Sequence, residues 1–209
     1  MITSALKRLI ACAHIDRIVI VAEESWRGRI DDDCDGVGLA MDKVTGYADP
    51  GANRQLSIYN GMRAVMKNVI ADGVNGMGDD DTVLVHDAAR PFITAKLLDR
   101  CYAALPGHDG VMPVLPMKDT VYLSRDGTEV SQLLDRSEIF AGQAPELFRF
   151  VDYYKAVEGL LPNDIMDING ATEPAVMYGM NIAMIPGDET NYKVTTDADL
   201  ERYREAMGK

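Results

Sequence analysis

Residues 81–92 have the sequence Asp-Thr-Val-Leu-Val-His-Asp-Ala-Ala-Arg-Pro-Phe, an apolar stretch that ends abruptly in polar side chains. Thr82 to Val85 form the pattern of a short buried strand, and Pro91 prevents further strand pairing. In open α/β sheets, ligands bind outside the carboxyl ends of the parallel strands. Asp87 and Arg90 are therefore expected at a functional site.

Each of these two side chains has a chemistry that suits such a site. The Asp87 carboxylate is suited to a divalent cation, and the planar guanidinium of Arg90 is suited to phosphate oxygens. The residues alone also allow a structural alternative, in which Asp87 caps the next helix and Arg90 makes a surface ion pair. The remainder of the chain has to decide between the two interpretations.

Composition limits the classes of function. With 209 residues, of which 47% are hydrophobic and 26% charged, the chain is predicted to form one domain over residues 1–209 with one sizeable core. Its net charge of -12 argues against nucleic acid and against an anionic membrane surface as partners. A small anionic substrate stays compatible with this charge where local Arg and Lys side chains outweigh it.

The cysteines and the apolar runs predict where the protein resides. There are three cysteines, an odd number without metal-ligand spacing, which indicates buried thiols in a reducing compartment. No run approaches the roughly 20 apolar residues that span a bilayer, and the N-terminal apolar stretch is too short for a secretion signal. We expect a soluble, cytoplasmic protein.

Helical and strand periodicities alternate along the chain, which predicts an α/β fold with a mostly parallel sheet. An acidic turn is predicted over residues 31–36, and a helix is predicted to start at Pro145. The segment Gly51 to Ser57 precedes a strong helix, so free backbone N–H groups near Ser57 are expected to receive a phosphate or a ribose. Taken alone, this last signal is weak.

The pattern changes between Lys118 and Arg136. Two short strand candidates flank the turn at Asp126 and Gly127, which is typical of a β-hairpin. A two-stranded ribbon is only marginally stable by itself, so we expect this arm to pair with the same arm of a second subunit. The sequence thus predicts a homodimer through a β-arm at residues 118–136.

Together these pieces resemble one family, the cytidylyltransferases that act on 2-C-methyl-D-erythritol 4-phosphate, together with close relatives that act on ribitol 5-phosphate. The motif His-Asp-Ala-Ala-Arg-Pro at residues 86–91 is its most specific part. Five stretches match in order along nearly the whole chain: residues 15–21, 51–61, 85–91, 119–120 with 135–148, and 191–200 around Lys193-Val194-Thr195.

The resemblance implies a Rossmann-like, three-layer nucleotidyltransferase that joins CTP to a sugar-alcohol phosphate, releases pyrophosphate and uses a divalent cation, usually Mg²⁺. It implies that Asp87 holds the metal or orients the triphosphate and that Lys193 meets the α-phosphate. Gly51 and Ser57 would contact cytosine or ribose. The acceptor phosphate would be held by three residues, the last two from the partner's arm: Arg90, Thr120 and Arg136.

The sequence also departs from the family. The family's Thr-Pro-Gln is Ala144-Pro145-Glu146 here, which adds a negative charge near the expected acceptor pocket. The family begins with a strand and a Gly-rich loop that carries an arginine and a Pro-Lys, whereas this chain opens on the helix that follows them. A late gene start and a degenerate relative both explain this, and we expect the chain as written to fold but to turn over slowly.

Two alternatives therefore stay open beside the isoprenoid-precursor enzyme. One is a cytidylyltransferase for ribitol 5-phosphate or another alditol or sugar phosphate. The other is a non-catalytic paralogue that binds a nucleotide. A dinucleotide-dependent dehydrogenase is disfavoured, because no G-x-G-x-x-G stands between a strand and a helix.

Overall fold

A computed structural model of the chain describes residues 1–208. It contains seven α-helices within that range: α1 Ile2–Ala11, α2 Glu24–Asp35, α3 Arg54–Ala71, α4 Ala95–Ala104, α5 Phe150–Glu158, α6 Thr172–Met177 and α7 Asp197–Ala206. It contains nine strands there: β1 Ile18–Val21, β2 Val44–Ala48, β3 Thr82–Val85, β4 Gly110–Pro116, β5 Val121–Leu123, β6 Gln132–Leu134, β7 Phe140–Gly142, β8 Glu146–Arg149 and β9 Ile182–Pro186.

Five strands form the central sheet, in which β3, β8, β4 and β7 follow one another and β9 pairs with β4. β4 pairs in parallel with β9, and β8 lies antiparallel between β3 and β4. β3, β4 and β9 therefore run in one direction and β7 and β8 in the other. Three of the four strand pairings are antiparallel, so this sheet is mixed rather than mostly parallel as predicted. The α/β class with a central sheet is confirmed.

Helices cover both faces of this sheet. Along β8, Leu147 packs with residues of α4, whereas Phe148 packs with residues of α3 and α5. The same alternation holds in β3, where Leu84 contacts the cluster that includes α1 and Val83 contacts the cluster that includes α3. Successive side chains of a strand point to opposite faces, so these contacts define three layers.

The helix predicted to start at Pro145 is wrong at its beginning, because residues 146–149 form β8 and α5 starts at Phe150. A buried segment of only four residues is too short for its periodicity to separate strand from helix. Pairing with β3 on one edge and β4 on the other makes this run a strand.

The acidic turn predicted at residues 31–36 is also wrong, because α2 continues to Asp35. Ile30 and Cys34 are four residues apart and both buried, so they lie on the inner face of α2. The neighbouring aspartates Asp31 to Asp33 are exposed to water. An acidic outer face and a buried inner face together make an amphipathic helix rather than a loop.

β1 and β2 form a separate parallel two-stranded sheet. A cavity of about 770 Å³ lies between β1 and β3. The arm is present as predicted: β5 and β6 pair antiparallel, and Gly127 has φ +78° in the turn between them. None of the helices in residues 1–208 has both the length and the apolarity needed to cross a membrane.

Candidate active site

Asp87 lies two residues beyond the end of β3 and is contacted by three cationic side chains. Arg54 donates from Nε and Nη2 to Oδ1, at 3.1 and 2.9 Å. Lys193 Nζ is 3.3 Å and Arg90 Nε is 3.6 Å from the other oxygen, Oδ2. Three residues predicted as catalytic from the sequence, Asp87, Arg90 and Lys193, are thus brought together.

The N-cap of α3 explains the position of Arg54, a residue for which no role was predicted. Asn53 is the N-cap of α3, and its side chain accepts a hydrogen bond from Leu56 N at 2.8 Å. Arg54 is consequently the first residue of the helix and lies beside the end of β3. The signal available from sequence was the Asn that precedes the helix, which is a favoured N-cap residue.

Lys193 reaches Asp87 because the loop that carries it is tied to the loop after β3. Val194 N donates to Ala89 O at 2.8 Å, and Arg90 Nη1 donates to Asn191 O at 2.8 Å. Asn191 is fully buried, and its side chain donates to Ala144 O at 2.8 Å. These bonds fix two segments that are about a hundred residues apart in sequence.

Glu146 brings a second carboxylate to this site, because Val85 and Glu146 are paired across β3 and β8. Its Oε2 accepts from Thr172 Oγ1 at 2.7 Å, and its Oε1 is 3.5 Å from Arg54 Nη2. Arg54 is therefore shared between two carboxylates. The sequence analysis recognised Glu146 as a departure from the family but placed it in a helix, so its contact with Arg54 was not foreseen.

The carboxylates differ in their electrostatics. Burial by itself would raise the pKa of Asp87, but Arg54 and Lys193 outweigh it and hold that pKa below its ordinary value. Burial raises the pKa of Glu146, and the hydrogen bond from Thr172 and the charge of Arg54 offset only part of the shift. Asp87 is the stable anion of the pair.

The arginines are also affected differently. Burial would lower the pKa of Arg54, but the charge of Asp87 outweighs it and raises that pKa. For Arg90 burial prevails over the attraction of Asp87, so its pKa is lowered. Both side chains stay protonated at neutral pH, because guanidinium pKa values start above 12. The site thus places three cationic side chains around Asp87.

His86 has a structural position in this cluster. Its Nε2 is 3.0 Å from Arg90 O, and its Nδ1 is buried without a hydrogen-bond partner among residues 1–208. Burial lowers the pKa of His86 to about 4, although the Arg90 carbonyl acts in the opposite direction. The imidazole is therefore neutral at pH 7 and supports the turn that holds Asp87 and Arg90.

Gly51 and Ser57 lie in the turn before α3 and bond to each other. Gly51 N donates to Ser57 Oγ at 3.0 Å, and that hydroxyl donates to Asn53 O at 2.9 Å. A Cβ at Gly51 would lie 2.2 Å from Leu56 Cβ, so the turn requires glycine. The helix begins three residues before Ser57, so Ser57 N donates to Asn53 O and is not one of the free N–H groups expected near Ser57.

Thr120 and Arg136 lie on the arm and are exposed. Arg136 Nη1 donates to Lys118 O at 2.8 Å, which joins the two ends of the arm. Within the described part of this single chain, no contact connects either residue to the Asp87 cluster. Their expected role in acceptor binding, from the partner's arm, stays a prediction.

The donor set decides how a metal ion would fit. Residues 1–208 contain no cluster of three or more His, Cys, Asp or Glu side chains that could hold a metal ion. The site has only the carboxylates of Asp87 and Glu146, and both oxygens of Asp87 already face cations. These residues fit a cation that arrives with phosphate oxygens, as Mg²⁺ commonly does, rather than one bound by the protein alone.

The amino-acid sequence is similar to one family of known proteins. The family model described as IspD, 2-C-methyl-D-erythritol 4-phosphate cytidylyltransferase, matches residues 1–208. A protein of that name from Rubrobacter xylanophilus is 33% identical over 193 residues, covering 90% of this chain and 74% of that protein. A bifunctional enzyme IspD/IspF from Paramagnetospirillum magneticum is 35% identical over 159 residues, covering 75% of this chain and 40% of that protein.

Solved structures support the fold. The 4-diphosphocytidyl-2C-methyl-D-erythritol synthase of Anaerococcus prevotii has a TM-score of 0.82 at 20% identity and covers 100% of this chain and 86% of its own. The 2-C-methyl-D-erythritol 4-phosphate cytidylyltransferase of Francisella tularensis has a TM-score of 0.76 at 22% identity and covers 97% of this chain and 85% of its own.

These matches support the resemblance found in the sequence and do not favour its ribitol 5-phosphate or non-catalytic alternatives. The chain spans less than half the length of the bifunctional relatives and about three quarters of the Rubrobacter protein. Because the family model matches from residue 1 to residue 208, the chain belongs to the 2-C-methyl-D-erythritol 4-phosphate cytidylyltransferase (IspD) family.

Proposed function

We propose that this protein transfers the cytidylyl group of CTP to 2-C-methyl-D-erythritol 4-phosphate and releases pyrophosphate, a step of isoprenoid precursor synthesis. The observation that supports this most is the convergence of Arg54, Arg90 and Lys193 on Asp87 in a chain of this family. Substrates with several phosphate groups need such a local excess of cations, because the chain as a whole has a net charge of -12.

The reaction makes one bond and breaks another at the α-phosphorus of CTP. An oxygen of the acceptor's phosphate attacks that phosphorus, and the bond to the bridging oxygen of the β-phosphate breaks. The bridging oxygen leaves with the electron pair as part of pyrophosphate. Negative charge increases on the α-phosphate oxygens and on the leaving group, so positioned cations lower the barrier.

The side chains divide this work by position. Lys193 is more exposed than the two arginines, so its ammonium group would be open to the α-phosphate. Asp87 holds the three cationic side chains close together. Its carboxylate would also bind Mg²⁺, which would neutralise charge on the triphosphate. Gly51 and Ser57 lie next to Arg54 at the start of α3, where they would contact the cytosine or the ribose.

Acceptor binding requires a second subunit in this proposal. Arg90 would hold the acceptor phosphate together with Thr120 and Arg136 from the partner's arm. Exposed apolar side chains on the arm support pairing with a second copy: Tyr122, Leu123, Val130 and Leu133. Three free, buried cysteines support a cytoplasmic location, since reducing compartments keep thiols unpaired.

Pyrophosphate release tests this function. The chain should release pyrophosphate from CTP only when 2-C-methyl-D-erythritol 4-phosphate is present, with UTP, ATP and GTP giving less product. Ribitol 5-phosphate should be the poorer acceptor. Lys193→Met sets the background, so even slow turnover is measurable as the difference. Release that is equal in the parent and in Lys193→Met, or equal for all four nucleotides, would contradict the proposal.

A further inference from the structure

One helix, α7, contacts both of the loops that bring cations to the site. Arg202 and Tyr203 are consecutive residues of this helix. Arg202 Cζ lies 4.1 Å from the ring centroid of Tyr192, in the loop after β9. The ring centroid of Tyr203 lies 5.7 Å from that of Phe92, in the loop after β3. The rings of Phe92 and Tyr192 are themselves 5.2 Å apart. We call these four residues the α7 aromatic cluster.

The two rings in the loops adjoin cationic side chains of the site. Tyr192 immediately precedes Lys193, and Phe92 follows Arg90 by two residues. Lys193 Nζ and Arg90 Nε both approach the same oxygen of Asp87. A shift of either ring therefore moves a stretch of backbone from which a cation reaches Asp87.

The start of α7 is fixed to the segment that follows Lys193. The carboxylate of Asp199 accepts from the backbone N–H groups of Thr195 and Thr196, at 3.1 and 3.0 Å, and from their hydroxyls, at 3.2 and 2.9 Å. Asp199 N donates to Thr196 Oγ1 at 3.2 Å, which completes a capping box. Arg202 lies three residues after Asp199 and hence on the same side of the helix. The cap thus sets where Arg202 lies.

The ring of Tyr192, and not its hydroxyl, makes the contacts in this cluster. The hydroxyl oxygen is buried and has no hydrogen-bond partner among residues 1–208. A cation over an aromatic face is attracted by the ring itself, and neighbouring rings attract each other at offset or tilted angles. Tyr192→Phe therefore keeps the contacts, whereas Tyr192→Leu removes them and leaves an apolar side chain.

We propose that the α7 aromatic cluster is a positioning element, in which Arg202 holds the ring of Tyr192 and thereby keeps Lys193 in place. The inference rests on the proposed function, where Lys193 meets the α-phosphate. Three cationic side chains around one carboxylate repel each other, so their loops need support from outside the site. A cation that is already in place stabilises developing charge without reorganisation.

A double-mutant cycle tests the link between Arg202 and Lys193. Arg202→Met removes the cation from the ring of Tyr192, and Lys193→Met removes the ion pair with Asp87. The matched control is Arg204→Met, because Arg204 is exposed and lies two residues further along α7, on another side of the helix. It loses the same charge. Urea denaturation without CTP measures one cycle, and calorimetry with CTP and Mg²⁺ measures the other.

The cycle without CTP does not depend on the proposed function. Lys193→Met should raise the equilibrium constant of unfolding less in the Arg202→Met background than in the parent, by about twofold or more. A lysine that is no longer held in place has less of its ion pair to lose. In the Arg204→Met background the increase should match that in the parent. An increase that is equal in all three backgrounds, or reduced equally by both arginine variants, would overturn the proposal.

The cycle with CTP separates positioning from a purely structural role. Arg202→Met should weaken CTP binding by about threefold in the parent, in line with the loss of one cation–π contact. It should weaken binding no further in the Lys193→Met background. Equal weakening in both backgrounds would overturn the proposal.

Variants of Tyr192 provide the rescue test. Tyr192→Phe should bind CTP like the parent, whereas Tyr192→Leu should bind it as weakly as Arg202→Met does. Weakening by Tyr192→Phe that equals that of Tyr192→Leu would overturn the role of the ring. If the cycle without CTP shows the expected coupling and the parent does not bind CTP, the proposed function fails while the positioning of Lys193 is supported.

Discussion

Arg54 binds Asp87 side-on: its Nε and Nη2 donate to the same carboxylate oxygen, at 3.1 and 2.9 Å. The second oxygen of Asp87 is left for Lys193 at 3.3 Å and Arg90 at 3.6 Å. One carboxylate thus organises three cations that would otherwise repel each other. A negatively charged ligand can form ion pairs with these three side chains, provided that they stay in place.

Asp87→Asn should destabilise the protein, because it leaves three cations close together without their common partner. We expect a loss of about 3 kcal/mol, as for the removal of one partner from a buried ion pair. Since the folded-state pKa of Asp87 is lowered, the parent gains this stability above the unfolded aspartate pKa and loses it as pH falls through the folded value. The free energy of unfolding of the variant should not show this fall at acidic pH.

Urea denaturation between pH 2.5 and 7 measures this. Asp33→Asn is the control, because Asp33 pairs with Arg29 at 2.9 Å on the exposed face of α2. Exposed pairs of this kind contribute less than about 1 kcal/mol. If Asp87→Asn costs no more than Asp33→Asn, the three ion pairs do not depend on Asp87.

Glu146→Gln should have the opposite pH dependence. The raised pKa of Glu146 means that the folded state disfavours its ionised form, so the parent loses stability as pH rises above the ordinary glutamate range, near about 4.3. Glutamine still accepts from Thr172 without that penalty. We expect the variant to be more stable than the parent by about 1 kcal/mol at pH 7, with no gain at pH 4.

Thermal unfolding at both pH values measures the effect, and Glu129→Gln on the exposed arm is the control, where no change is expected. The same substitution removes a negative charge beside Arg54, so the KM for CTP should fall a few-fold. A variant that is less stable than the parent at pH 7 would show that the Arg54–Glu146 contact outweighs the cost of burying the carboxylate.

His86→Gln should make the free energy of unfolding less dependent on pH in mildly acidic solution. The pKa of His86 is lowered to about 4 in the folded protein, so the unfolded state takes up a proton first as pH falls below about 6.5. The parent therefore loses stability between pH 6.5 and 4, by up to about 3 kcal/mol at 1.36 kcal/mol per unit. Glutamine has no such titration.

Chemical denaturation at intervals across that pH range provides the comparison. His14→Gln is the matched control, because His14 is exposed and stacks on Tyr102 with ring centroids 4.5 Å apart. The control should keep the slope of the parent. The assignment of the slope to His86 would be wrong if His86→Gln kept it as well.

The positions of Asp87 and Arg90 could be predicted from local sequence, and that of Lys193 from the family resemblance, whereas that of Glu146 could not. Asp87 and Arg90 follow a strand that has a clear apolar pattern, so their position at its end was predictable. Glu146 reaches the site only because β8 pairs with β3 in one register, with Val85 opposite Glu146. Nothing within the residues around Pro145 specifies that pairing, and a short buried run suits helix and strand alike.

Dimerisation through the arm should depend on its exposed apolar side chains. Tyr122 and Leu133 are directly opposite each other across β5 and β6 and are 58% and 62% exposed. The double variant Tyr122→Lys, Leu133→Lys should halve the mass measured by sedimentation equilibrium, because the charges prevent burial of this face. Trp26→Lys on α2, where Trp26 is 61% exposed, should leave the mass unchanged.

If the parent sediments as a monomer, or if the double variant stays a dimer, the arm is not the interface. In the first case Thr120 and Arg136 have no partner site to complete, and the acceptor assignment fails with the dimer. In the second case another surface holds the subunits together.

The claim that the cations around Asp87 bind the triphosphate is tested most directly by the affinity for CTP of Lys193→Met and of Lys155→Met, measured by calorimetry with Mg²⁺. Lys155 lies on α5, with its Nζ 3.8 Å from Asp152 and away from the site, so it matches the charge change of the first variant. Lys193→Met should weaken CTP binding by about tenfold or more, the equivalent of one charge-assisted contact of 1.4 kcal/mol or more, whereas Lys155→Met should bind like the parent. Equal affinities in the parent and both variants would contradict the assignment of the phosphate site.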